Sequence, residues 1–303
     1  LLFQLTDNVF IQDEADVPGV RVEWNALRGP AAADTDHLAH VVNFYKAGEA
    51  DQRVQALSVD SVVRAVRSAP MQVRHLGISL AGEESSIKPP FQACSSLTRT
   101  VLDLKSFAAG RKLPLLFDIL ESGTASADPR GYVLFTNSDI CLSPHFYASV
   151  RSLLEMGVDC LIINRRTVDS VGSYGVHPAC GAFEMGKKHP GFDCFIFPVR
   201  WMSRFVRSDS CIGMPLVMRP LLHNLVAQAN RMLILRSSPL TYHYGDDMTH
   251  GLPIYQDYHA HNQQQAQATM QTLCQDRQAR ERLRAFCVAH HEPISPPPEA
   301  EIR

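Results

Sequence analysis

The chain has 303 residues, 45% of them hydrophobic and 20% charged, the balance of a folded globular protein with a core of ordinary size. Its formal net charge of −2 gives no electrostatic reason to expect nucleic acid or an anionic membrane as the main partner, though nucleic acid is not excluded as an acceptor. No apolar run reaches the roughly 18 residues of a membrane span.

Residues 1–37 are mixed and polar, and read as an irregular segment with one strand over 20–24. The first ten residues have no basic region and no small-residue cleavage site of a signal peptide. They also lack an initiator Met, which leaves open a trimmed upstream anchor. Residues 40–45 (HVVNFY) predict a first strand. Residues 53–68 place Val54, Leu57, Val62, Val63 and Val66 near helical spacing, and Pro70 closes the helix. A second strand is expected over 73–80, loop over 82–93, and a helix over 113–122.

Residues 131–142 (GYVLFTNSDICL) carry the strongest signal. A short apolar run, the pattern of a buried strand, ends in Asn137-Ser138-Asp139. Ser143-Pro144 then reads as a helix start, with Gly157 ending that helix. A strand is expected over 160–164, followed by Arg165-Arg166. Residues 172–191 read as loop, 194–199 as strand, 214–230 as helix, 232–235 as strand and 261–289 as one helix. Strands alternating with helices predict an α/β fold with a mostly parallel, Rossmann-like sheet flanked by helices. Three polar clusters are candidates for one site at the C-terminal strand edge, where open α/β sheets place ligands. They are Asn137-Ser138-Asp139, the residues 189–193 (HPGFD) and the residues 243–247 (HYGDD).

In the order FTNSDI, HPGFDCFIFP and TYHYGDD, the chain resembles nucleotide-sugar glycosyltransferases of the GT-A fold over roughly residues 38–250. The resemblance implies a nucleotide-binding half over about 38–142 and an irregular acceptor half over about 143–260. A C-terminal helix and frayed tail would follow over 261–303. It implies a divalent cation, Mn²⁺ or Mg²⁺, on Asp139 and His243, and a nucleotide-sugar donor, with UDP the default. It places Asn43 and Tyr45 beside base and ribose. The DxD pattern of that family has Asp where this chain has Asn137, which weakens the contact of the first carboxylate and leaves Asp139 as metal ligand.

The chemistry agrees with such a site. A sugar diphosphate develops negative charge as it leaves, and a cation on hard oxygen and imidazole ligands stabilises it. Asp193 is the candidate on the acceptor side, as general base if configuration inverts or as a donor-sugar contact if it is retained. Arg165 and Arg166 can reach phosphate bidentately, and Lys187, Lys188 and His189 can close over the diphosphate. Asp246, Asp247 and His250 join Asp139, Asp193 and His243 in an alternative reading, a two-metal hydrolase or nucleotidyltransferase. A non-catalytic, glycosyltransferase-like binding protein is the third. The acceptor is not readable.

None of the eight cysteines forms a CxxC pair, so zinc ligation is not expected. Reduced thiols and an intracellular setting, cytoplasm or nucleus, are favoured, with a luminal setting as the alternative. The polar helix over 261–289 faces solvent in the plainest reading and offers a homodimer surface in another.

Overall fold

The computed structural model describes residues 1–168, 186–189, 191–245 and 252–290. Fourteen strands fall in them. In chain order they are β1 (Leu2–Gln4), β2 (Val9–Gln12), β3 (Val20–Arg21), β4 (His37–Asn43), β5 (Gln72–Ile78), β6 (Gln92–Ala93) and β7 (Tyr132–Asn137). Then come β8 (Cys141–Leu142), β9 (Cys160–Ile163), β10 (Arg166–Val168), β11 (Lys187–Lys188), β12 (Cys194–Pro198), β13 (Met232–Leu235) and β14 (Thr241–Tyr244). The helices are α1 (Glu49–Val66), α2 (Leu116–Ala125), α3 (Phe146–Met156), α4 (Arg219–Gln228), α5 (Gln256–Leu273) and α6 (Arg277–His290).

The α/β architecture expected from the strand–helix alternation is the one that forms. A large sheet runs in the order β3-β1-β2-β13-β9-β12-β7-β4-β5-β6. The neighbours β7, β4, β5 and β6 are parallel, and so are β2, β13 and β9. Between these two blocks β12 runs antiparallel to both β7 and β9. Strands β9, β12 and β13 are buried along their whole length and β7 up to Thr136, which is why they read as apolar runs. One core cluster on the sheet holds residues of α2, α4, α5 and α6, and a second holds residues of α1 and α3. A small second sheet, β11-β10-β14-β8, is built from short segments that flank these strands in the chain.

Several local expectations are corrected. Residues 1–37 are not irregular: β1 and β2 form a hairpin, and β2 pairs with β13 in the large sheet. Short strands interrupted by a polar turn carry too little periodicity to be seen in sequence. The helix after β8 starts at Phe146 with His145 at its cap, not at Ser143. Ser143 instead accepts a backbone turn bond from Phe146. That helix does end at Gly157, whose φ of 113° is left-handed and suits glycine. The helix expected from 214 begins at Arg219, because Leu216 holds a positive φ of 64° that a helix cannot contain. The single helix expected over 261–289 is two, and the Asp276 side chain accepts the Ala279 N–H at 2.8 Å at the start of the second. The first of the two is not simply solvent-facing, since Tyr258, Asn262, Ala266 and Met270 bury one face.

Among the described residues no helix is long and apolar enough to cross a membrane. Cys94, Cys141, Cys160, Cys194, Cys211, Cys274 and Cys287 are free thiols; Cys180 lies outside the described residues.

Candidate functional site

Two registers bring the three polar clusters together. Antiparallel pairing sets Cys194 opposite Thr136 and Ile163, so Asp193, just before β12, sits where β7 and β9 end. In the small sheet Thr241 pairs with Leu142 and Tyr242 with Cys141. The same antiparallel alignment, continued by one residue, carries His243 to Ile140 and Asp139. The convergence was expected from parallel strand ends; it arises instead from one reversed strand and from a second sheet.

His243 Nε2 stands 3.4 Å from Asp139 Oδ2. His243 Nδ1 lies 3.0 Å from the Gly245 carbonyl oxygen. That oxygen only accepts, so Nδ1 carries the proton and the other nitrogen is turned to the carboxylate. Asp139 is 24% exposed at its side chain, while its Oδ1 is buried without a hydrogen-bond partner. Among the described residues Asn137 Oδ1, Asn164 Oδ1 and Asp193 Oδ2 are likewise buried and make no hydrogen bond. Four orphaned acceptor oxygens at one sheet edge are unusual, because buried polar groups ordinarily find partners. A cation with ligand hydroxyls satisfies such a set. Two ligand atoms about 2.1 Å from a common ion stand about 3.0–3.4 Å apart, so the Asp139–His243 spacing fits one ion. Among the described residues no group of three or more His, Cys, Asp or Glu side chains gathers as a metal cluster.

Asp193 is 8% exposed, and Arg165 Nη1 lies 3.4 Å from its Oδ1. Burial pushes the Asp193 carboxyl above the usual carboxylate range; Arg165 and His189 draw it back, Asp139 pushes it up further, and His243 draws it down. His189 Nε2 approaches Asp193 Oδ2 at 3.9 Å.

Sequence reasoning missed the residues that position the Asp139 loop. Gln55, Ser58 and Ser61 recur every three residues on α1 and face that loop. Gln55 Nε2 donates to Ser138 Oγ at 3.2 Å, Ser58 Oγ donates to the Ile140 carbonyl at 2.8 Å, and Ser61 Oγ accepts the Leu142 N–H at 2.8 Å. The signal in the sequence is a polar stripe inside an otherwise apolar helix face.

The other sequence candidates are distributed as follows. Asn43 pairs with Asn137 across β4 and β7, is buried, and its Nδ2 donates to the Ile78 carbonyl at 3.2 Å. Tyr45 is half-buried at the same edge, its carbonyl accepting from Gln55 Nε2 at 3.4 Å. Ser138 is buried. Lys188 is held at the C-terminal end of β2, its Nζ 2.6 Å from Asp13 Oδ1 and 3.5 Å from Glu14 Oε2. Arg166 Nη2 pairs with Glu14 Oε1 at 2.7 Å. Asp246, Asp247 and His250 lie outside the described residues.

No protein-family model matches the chain. No curated protein matches it either. Solved structures resemble it at low identity. TarS of S. aureus, residues 1–349 in complex with UDP-GlcNAc, is 12% identical with a TM-score of 0.47, over 83% of this chain and 73% of that one. The mannosyltransferase PcManGT of Pyrobaculum calidifontis, in complex with GDP-Man and Mn²⁺, is 12% identical with a TM-score of 0.45, over 88% and 72%. The 4-diphosphocytidyl-2C-methyl-D-erythritol synthase of Anaerococcus prevotii DSM 20548 is 10% identical with a TM-score of 0.35, over 76% and 98%.

Proposed function

We propose that the chain is a metal-dependent glycosyltransferase that moves a sugar from a nucleotide diphosphate donor, UDP-linked by default, to a hydroxyl acceptor. The observation that carries this reading is the pairing of Asp139 Oδ2 with His243 Nε2 at 3.4 Å beside buried oxygens of Asn137, Asp139 and Asp193 that make no hydrogen bond among the described residues. Asp139 and His243 are the residues that would hold Mn²⁺ or Mg²⁺. Such an ion, when bound, neutralises the charge that develops on a departing diphosphate.

The chain's own groups supply the rest. The Gly245 carbonyl fixes the His243 ring, and so keeps Nε2 facing Asp139. Gln55, Ser58 and Ser61 hold the loop that carries Asp139. Arg165 keeps a charge partner on the buried Asp193. Asn43 and Tyr45 stand at the end of β4, at the edge where a base and ribose would lie. One carboxylate and one imidazole leave coordination positions for phosphate oxygens and water, which suits Mn²⁺ or Mg²⁺ better than closed structural zinc.

The test is calorimetric titration of UDP and GDP into the protein with and without Mn²⁺. The reading expects nucleotide binding that requires metal and that Asp139→Ala and His243→Ala both remove. Metal-independent nucleotide binding, unchanged in both variants, would take the two residues out of the site.

A further inference from the structure

Asp193 is the obvious carboxylate for the acceptor side, yet its burial argues against direct contact with an acceptor. Its side chain is 8% exposed, and Oδ2 is buried with no hydrogen-bond partner. His189, 28% exposed, approaches that oxygen with Nε2 at 3.9 Å. This is an ion-pair distance, longer than a hydrogen bond; catalytic hydrogen bonds are often long before substrate is bound.

Three features hold the ring there. Asn164 Nδ2 donates to the His189 carbonyl at 3.3 Å. Lys188, the preceding residue, is tied to Asp13 at 2.6 Å. Gly191 passes directly beneath the imidazole: a Cβ on it would come within 2.6 Å of His189 Nε2 and 3.0 Å of Cδ2. No side-chain-bearing residue at 191 leaves that ring position undisturbed. Glycine here follows from the close approach of a ring, since the stretch leading to β12 would otherwise accept other residues.

We infer that His189, oriented by the buried Asp193, is the general base that takes the proton of the acceptor hydroxyl. The inference rests on the transferase reading above. Once substrate is bound, Asp193 Oδ2 accepts from Nε2–H, which fixes the tautomer that makes Nδ1 the basic nitrogen. The acceptor oxygen donates a lone pair to the anomeric carbon as its proton passes to Nδ1. The bond from that carbon to the diphosphate oxygen breaks, and its electron pair leaves with the nucleoside diphosphate. The proton on His189 then goes to solvent. A single displacement of this kind inverts configuration. His189 is the catalytic residue, and Asp193 is a positioning residue that also steadies the imidazolium. The titratable and charged groups around Asp193 are Arg165, His189, Asp139 and His243.

The test has two arms on the full chain. In the first, histidine ring resonances are titrated by NMR, with His189 assigned by its loss in His189→Gln. The dyad predicts a His189 pKa that drops by about one unit or more in Asp193→Asn; an unchanged titration overturns it. In the second, release of UDP or GDP from a panel of UDP- and GDP-sugars is followed with Mn²⁺ and with glycerol or water as acceptor. His189→Gln is expected to lower kcat about 100-fold or more, with donor KM little changed, loss of the acid limb of the pH profile and partial rescue by imidazole. Gly191→Ala, which displaces the ring without deleting it, lowers kcat in the same direction and guards against a folding defect in the first variant. Wild-type turnover that His189→Gln retains would overturn His189 as base and leave the transferase reading standing. No turnover by wild type with any donor would overturn the transferase reading, and the role of His189 with it.

Discussion

His243 Nε2 and Asp139 Oδ2 face each other at 3.4 Å across the junction of two sheets. A neutral imidazole lone pair and a carboxylate repel at that distance, and a cation between them turns repulsion into shared coordination. Asp139→Ala is therefore expected to abolish Mn²⁺ binding measured by electron paramagnetic resonance. It should leave the melting temperature within a few degrees of wild type, because Asp139 is partly exposed and packs into no core cluster. Retained Mn²⁺ affinity in Asp139→Ala would contradict the assignment.

Asp193→Asn separates transfer from binding. The amide keeps the shape of the side chain and loses the charge that faces Arg165 and His189. Turnover is expected to fall by about 100-fold or more, while the nucleotide affinity stays near wild type. A parallel loss of both would move Asp193 to the donor side.

Ser58→Ala tests the polar stripe on α1. The Ile140 carbonyl loses a buried hydrogen bond of 2.8 Å, a cost of about 1–2 kcal/mol in urea unfolding. The loop that carries Asp139 loosens with it, so Mn²⁺ affinity is expected to drop about 10-fold. A stability loss with unchanged metal affinity would show that the stripe serves the fold alone.

Stability should fall with acid through a buried histidine pair. His40 Nδ1 and His75 Nε2 share the Tyr147 hydroxyl at 2.9 and 3.3 Å, and His40 Nε2 meets Thr136 Oγ1 at 3.0 Å. Burial pushes the His75 pKa down to about 4. Burial first, then the neighbouring His75, pushes His40 well below its usual range. Unfolded histidine protonates near 6.5, so the unfolded state takes up protons first as pH falls. The stabilisation is full above about 6.5 and is lost between about 6.5 and 4, amounting to about 3 kcal/mol for His75. Urea unfolding at pH 7 and pH 5 reads this directly, and His75→Gln should flatten the difference. An equal loss in His75→Gln would place the acid sensitivity elsewhere.

Asp13, at the end of β2, ties down Lys188 of β11, the residue before His189. Burial alone would raise its pKa, but Lys188, Ser237 and the N–H groups of Glu14 and Ala15 outweigh it and hold it at about 2. Its contribution is present above about 3.8 and disappears as pH falls toward 2. Asp13→Asn is expected to speed amide exchange in β11 at neutral pH; exchange identical to wild type would rule the tie out as a restraint.

What could be read in the sequence, and what could not, follows physical lines. Asp139, Asp193 and His243 were visible because each interrupts or flanks a buried apolar run, where a charge is expensive. The direction of β12 was not visible: Cys194–Pro198 is buried on both faces, and an unbroken apolar run carries no strand polarity. Leu2–Gln4 and Val9–Gln12 escaped notice because three or four residues do not establish a period. The break between the last two helices was marked by one Asp, Asp276, whose role as a cap is clear only once its 2.8 Å bond to Ala279 N is in place. The bond from Lys188 to Asp13 joins segments too distant in sequence for any local pattern to connect.

The most direct single measurement is thermal unfolding against a panel of nucleoside diphosphates and nucleotide sugars, each with and without Mn²⁺. A ligand that binds only the folded state raises the melting temperature by mass action. The account predicts a rise of several degrees with one nucleotide class that needs Mn²⁺ and vanishes in Asp139→Ala and His243→Ala. A rise with metal alone and none with any nucleotide would contradict it and point to a metal-dependent hydrolase instead.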